Sequence, residues 1–184
     1  SGGIRIKRRF WRERLWGFPM SGNDVSLDLE LIPMDSPALD INCGSGLFAR
    51  QMILSGHFTF AIEPSPATQI TRYQGMAVLR KAIVPKTKVG ARAVSVDSGD
   101  PVWVPALTVA MLSESLGIES WGIIRIGMED IDAMGVLAEW PGPLSHQIVA
   151  NLNGEQLQSV HEHLSQWYRV HAEDKDYVLF TLAR

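Results

Sequence analysis

Cysteine is almost absent. Of 184 residues only Cys43 is a cysteine. An internal disulfide is excluded, and the usage fits a reducing, cytoplasmic compartment. Long apolar runs are missing too. No stretch approaches the ~20 residues of a membrane-spanning helix. Residues 1–20 are basic and aromatic rather than a charged start followed by an apolar block, so no signal peptide is expected. Charge of one sign is not in excess: the formal net charge is −3, which gives no global field for nucleic acid. No Gly-x-Ser-x-Gly elbow and no phosphate-binding Gly-Lys-Ser/Thr pair occurs. The histidines do not converge. His161 and His163, two apart, face different sides of a helix, and no metal site is expected. The start, Ser1-Gly2-Gly3, lacks methionine and reads as a tagged or trimmed terminus.

What is present suits one ordinary domain with a real core, since 46% of the residues are hydrophobic and 20% charged. Residues 1–37 read as a basic N-terminal arm and a lead-in strand, and residues 38–184 as an α/β domain. In the arm, Arg5, Lys7, Arg8, Arg9, Arg12 and Arg14 interleave with Ile4, Ile6, Phe10, Trp11, Leu15 and Trp16. This pattern fits foremost a helix docked on the domain with a solvated basic face, and alternatively a contact to an anionic surface or nucleic acid. Val25, Leu27, Leu29 and Leu31 alternate with polar residues, as in a half-buried strand.

From Ala38 strands and helices alternate. Strands are expected near 38–42, 58–63, 76–80, 121–126 and 146–150, and helices near 46–55, 66–74, 108–117, 130–139 and 154–167. That rhythm predicts a mainly parallel sheet with helices on both faces. Residues 81–105 interrupt it and read as a hairpin or extended insertion. Tyr168–Ala172 and Tyr177–Leu182 read as a closing pair of strands around an acidic turn.

The most informative segment is Ala38-Leu39-Asp40-Ile41-Asn42-Cys43-Gly44-Ser45-Gly46. It is an apolar run ending in a glycine-spaced turn, with a helix pattern after it. Glycines let backbone N–H groups approach a ligand. A helix N-terminus adds free donors and partial positive charge. A second apolar run, Phe58–Ile62, ends at Glu63, where a carboxylate can accept from both ribose hydroxyls of a nucleotide-like ligand. Ala49 stands where a dinucleotide fingerprint would place its third glycine. Cys43, with no histidine nearby in sequence, reads as a packing residue rather than a nucleophile. The six tryptophans are scattered, and Trp103, beside the insertion, is the candidate substrate wall.

The loop Asp40-x-Asn42-x-Gly44-x-Gly46 resembles the first motif of S-adenosylmethionine-dependent methyltransferases. Three further stretches are similar to the FkbM-type family: Ala61-Ile62-Glu63-Pro64-Ser65-Pro66, Val104-Pro105-Ala106-Leu107-Thr108-Val109, and Trp121-Gly122-Ile123-Ile124-Arg125-Ile126-Gly127-Met128-Glu129-Asp130. The resemblance covers roughly residues 38–150. It implies a Rossmann-like methyltransferase fold, a seven-stranded sheet with its last strand antiparallel. It also implies S-adenosyl-L-methionine as cofactor, and methyl transfer to an oxygen of a small molecule or sugar. Asp40, Asn42, Cys43, Gly44, Gly46, Glu63 and Pro64 would hold the cofactor, with Glu129 and Arg125 orienting the acceptor. The last motif departs from the family's Lys-Ile-Asp-Val-Glu-Gly: Arg125 replaces lysine, Gly127 the aspartate and Asp130 the glycine. The lost acid leaves open a second reading, a cofactor-binding or accessory protein of the same fold without turnover.

Overall fold

The computed structural model describes residues 32–94, 99–126, 132–152, 154–173 and 177–183. The basic arm, the strand expected over 25–31 and the positions Gly127, Glu129 and Asp130 lie outside the described residues.

Seven strands form the main sheet: β1 (Ala38–Ile41), β2 (Thr59–Ile62), β3 (Met76–Leu79), β7 (Trp121–Ile126), β8 (Ser145–Ala150), β9 (Tyr168–Glu173) and β10 (Val178–Leu182). Their order is β3-β2-β1-β7-β8-β10-β9. The first five are mutually parallel. β10 runs antiparallel to both its neighbours. β9 therefore points the same way as the first five, and one strand runs against the rest. This is the Rossmann-like methyltransferase sheet expected from the sequence.

The apolar runs explain which strands are central. β1 is buried at every position, and in β7 only Arg125 is less than fully buried. Strands covered on both faces carry continuous apolar sequence rather than alternation. The two faces are nevertheless distinct. Leu39, Ile41, Ile124 and Ile126 point into the larger core with Val109 and Leu112, Val136 and Leu137, and Val160 and Leu164. These last three pairs belong to helices α2 (Val109–Leu116), α3 (Ala133–Ala138) and α4 (Gly154–Leu164). The alternate positions Asp40 and Arg125 face the other side, where Phe48 of helix α1 (Leu47–Leu54) lies.

The insertion is a separate three-stranded sheet of β4 (Ala82–Ile83), β5 (Gly90–Val94) and β6 (Val102–Leu107), in the order β4-β6-β5. β5 and β6 form the expected hairpin. Its own small core is Ala82, Val84, Val104 and Ala106. Trp103 is 66% exposed on its outer side, whereas Trp121 and Trp140 are core residues. Central-strand Gly122 is required by packing: a Cβ there would meet the side chains of Ser36 and Ile32.

The helix expected over 66–74 does not form; the segment runs as turns and irregular chain. Pro64 and Pro66 supply no N–H. The Arg80 guanidinium takes the Ser65 and Thr68 carbonyl oxygens, acceptors that a helix would use for its own ladder. The other helices are one to three residues shorter at one or both ends than the apolar pattern predicts.

Candidate functional site

Strand order reverses between β1 and β7: from β1 the chain builds outward through β2 and β3, then returns to add β7 on the opposite side. Open α/β sheets hold ligands outside the carboxyl ends of the strands at such a point. The glycine loop stands there, directly after β1.

Its backbone follows from its sequence. Asn42, Gly44 and Gly46 all lie in the left-handed region, at φ 54°, 55° and 89°. Asparagine is among the residues that accept this conformation, and glycine adopts it without a Cβ penalty. The two glycines differ in what surrounds them. A Cβ on Gly44 would meet nothing within 4 Å, so this peptide borders open space. A Cβ on Gly46 would approach Ile70 Cγ2 and Met76 Cε, each to 3.3 Å. Gly46 is also the N-cap of α1, and no side chain caps that end. The chain thus offers a helix N-terminus and an uncovered glycine turn side by side.

Glu63 follows β2 and is 8% exposed. Its Oε2 accepts from the Gly44 N–H at 3.1 Å and its Oε1 from the Ser65 N–H at 3.1 Å. The carboxylate fastens the glycine loop to the segment after β2. Each carboxylate oxygen has two acceptor sites, so one on each remains for a ligand hydroxyl. The Cys43 N–H donates to the Ile62 carbonyl at 3.0 Å, a second tie between the loop and β2. The Cys43 thiol packs with Ala49 and Ala61. Burial pushes its pKa up, and the Asp40 and Glu63 charges push it further. A thiol so held is protonated at neutral pH and is a poor nucleophile. Pro64 is buried.

Asp40 and Arg125 are register partners on β1 and β7. Arg125 Nη1 donates to Asp40 Oδ1 at 2.7 Å. Asp40 is 0% exposed, so its carboxylate is turned wholly into the protein. Burial raises its pKa above the ordinary value, while Arg125 pulls it down. The Arg125 guanidinium lies 5.7 Å from the centroid of the Phe48 ring. Burial lowers its pKa, but Asp40 and then Tyr177 outweigh that and the net shift is upward.

The structure therefore brings Asn42, Cys43, Gly44, Gly46, Glu63 and Pro64 together at the carboxyl ends of β1 and β2. Asp40 and Arg125 form a buried pair on the neighbouring strands β1 and β7. Glu129 lies outside the described residues. Sequence reasoning missed Phe48, Arg80, Ser65 and Tyr177. Phe48, Arg80 and Tyr177 act through contacts distant in sequence, and Ser65, inside the Glu63-Pro64-Ser65-Pro66 stretch, acts through its backbone N–H.

Among the described residues no group of three or more His, Cys, Asp or Glu side chains is placed to hold a metal ion. No helix among them is long and apolar enough to cross a membrane.

No protein-family model matches the chain, and no curated protein matches it. Among solved structures it is similar to a TehB-like SAM-dependent methyltransferase from Corynebacterium glutamicum, at 14% identity over 95% of each chain and TM-score 0.46. It is also similar to a proposed methyltransferase from an antibiotic biosynthesis pathway in Anabaena variabilis, at 16% identity over 67% of this chain, TM-score 0.37. A third is a proposed type II methyltransferase from Anaeromyxobacter dehalogenans, at 15% identity over 77% of this chain, TM-score 0.38. The chain spans 42% of the Anabaena protein and 55% of the Anaeromyxobacter one. The fold is established by the strand order itself rather than by these likenesses.

Proposed function

We propose that this protein binds S-adenosylmethionine in the crevice between the glycine loop and Glu63, and transfers its methyl group to an oxygen of a small molecule or sugar. One observation carries the reading. The Glu63 carboxylate sits at the tip of the strand beside β1, hydrogen-bonded to Gly44 of a loop at the sheet's switch point. A ribose-binding acid and a backbone cradle are thereby joined in one rigid unit. The residues fit the cofactor: Gly44 borders open space, the α1 N-terminus has no side-chain cap, and Glu63 keeps acceptor capacity.

When bound, the sulfonium supplies an electrophilic methyl group. The protein's task is then to align an acceptor oxygen with it and to exclude water. In this reading Glu63 accepts from the ribose hydroxyls, and the Asn42–Gly46 backbone holds the amino-acid end. The Asp40–Arg125 pair fixes β1 against β7 beneath them. Glu129 is the proposed acceptor-orienting group. The preference for oxygen and the FkbM-type assignment rest on the sequence motifs.

A second reading is a cofactor-binding protein without turnover. It is favoured by Arg125, whose guanidinium is committed to Asp40 and Tyr177.

Calorimetry with S-adenosylmethionine and S-adenosylhomocysteine tests the shared part of both readings. Saturable binding of both, weakened by Glu63→Gln, is expected. Absence of binding to either compound overturns the site. Formation of S-adenosylhomocysteine with an acceptor panel then separates enzyme from binder.

A further inference from the structure

Arg80 is the first residue after β3, and Glu63 is the first after β2. The two strands are parallel neighbours, with Ile62 opposite Leu79. The Glu63 N–H donates to the Leu79 carbonyl at 3.1 Å. Arg80 and Glu63 therefore leave the same edge of the sheet side by side.

The Arg80 guanidinium reaches across the end of β2. Its Nη2 donates to the Thr68 carbonyl at 2.9 Å, and its Nη1 donates to the Ser65 carbonyl. The Ser65 peptide works in both directions, because the Ser65 N–H donates to Glu63 Oε1 at 3.1 Å. Residues 64–68 belong to no helix or strand. Pro64 and Pro66 have no N–H with which to hold the segment. A planar guanidinium that grips two carbonyls fixes the orientation of such a turn as well as its position. The result is a relay. Arg80 holds the Ser65 peptide, Ser65 holds Glu63 Oε1, and the Gly44 N–H holds Glu63 Oε2 at 3.1 Å. A carboxylate tethered at both oxygens presents its remaining acceptor sites in one direction. Hydrogen bonds are directional, and a group ordered in advance loses less freedom when a ligand arrives.

We propose that Arg80 is a positioning residue for ribose recognition. By fixing the Ser65 peptide it sets the orientation of Glu63, and with it the preference for a ligand that carries both ribose hydroxyls. This role rests on the S-adenosylmethionine site proposed above. Arg80 acts through Ser65 and Glu63 rather than by touching the ligand.

S-adenosylhomocysteine and its 2′,3′-dideoxy analogue differ only in the hydroxyls assigned to Glu63, and calorimetry with the full chain compares them. Wild type is expected to prefer S-adenosylhomocysteine by about 10–100-fold, the effect of one or two hydrogen bonds to a charged group. Arg80→Ala is expected to reduce that preference to about threefold while leaving the affinity for the dideoxy analogue nearly unchanged. Arg80→Lys keeps the charge but lacks the planar fork, and an intermediate preference is expected. It carries the comparison if Arg80→Ala fails to fold. A merely structural role would weaken both ligands alike and leave their ratio as it was. Amide hydrogen exchange in the ligand-free chain reads the relay directly: the Ser65 N–H should exchange faster in either variant, while Ile148 of β8 does not change. An unchanged preference, an equal loss for the two ligands, or an unchanged Ser65 exchange rate overturns the role of Arg80 and leaves the cofactor site standing. Failure of wild type to bind S-adenosylhomocysteine removes the cofactor site, and the role of Arg80 with it.

Discussion

Asp40 of β1 and Arg125 of β7 occupy the same register position on adjacent parallel strands, and their side chains meet at 2.7 Å where the strand order reverses. The carboxylate is 0% exposed and the arginine side chain 13%. A charge this deep is tolerated because it is paired, and the pair ties β1 to β7 next to the glycine loop.

Breaking that pair from one side should be costly. Arg125→Met leaves the Asp40 charge buried and alone, and a loss of about 3–5 kcal/mol is expected in urea unfolding. Asp40→Asn combined with Arg125→Met should recover much of it, because neither residue then carries a charge. Equal stability of the single and double variants would show that the pair contributes little.

Replacing Glu63 should act on ligand and loop together. Glu63→Ala removes the acceptor for the Gly44 and Ser65 N–H groups as well as the proposed ribose contact. S-adenosylmethionine affinity should fall by about 1–3 kcal/mol in calorimetry. Unchanged affinity would remove Glu63 from the cofactor site.

The two loop glycines should respond differently. Gly46→Ala combines a left-handed φ with Ile70 and Met76 at 3.3 Å, and lowered thermal stability is expected. Gly44→Val meets no neighbour within 4 Å of its Cβ, so its stability cost is limited to backbone strain of about 1–2 kcal/mol. Its side chain enters the space assigned to the cofactor and should prevent binding. Retained S-adenosylmethionine binding in Gly44→Val would contradict the placement.

Asp132 caps α3: its Oδ1 accepts from the Gly135 N–H at 2.7 Å, and its Oδ2 pairs with Lys88 at 3.3 Å. The cap lowers the Asp132 pKa below the ordinary carboxylate value, with Lys88 adding to the effect. A lowered folded pKa gives stability that is fully present above about pH 4 and is lost as pH falls through the lowered value. Asp132→Ala should cost about 1 kcal/mol near pH 7, with the exposed Lys88 pair adding little. The difference from wild type should shrink as pH falls toward 3 in unfolding curves. Asp132→Asn, which still caps, should lose less.

Much of this architecture is legible in the chain itself. The apolar runs at 38–41, 59–62 and 121–126 mark strands buried on both faces. The glycine spacing after Asp40 marks the loop, and Glu63 marks the tip of the second strand. These are local signals, because burial and left-handed turns restrict residue type wherever they occur. The segment after Pro66 was not legible in the same way. Its polar and apolar spacing suits a helix, but Arg80, fifteen residues beyond Ser65, takes the carbonyls that a helix needs. Nor does the sequence show that Asp40 and Arg125 meet, eighty-five positions apart. Strand pairing puts the two at one register position and turns their side chains toward each other. The sequence by itself determined which segments are strands, which turn is glycine-lined and where the key acid stands. The tertiary structure decided which side chains meet one another, since register and packing between distant segments set those directions.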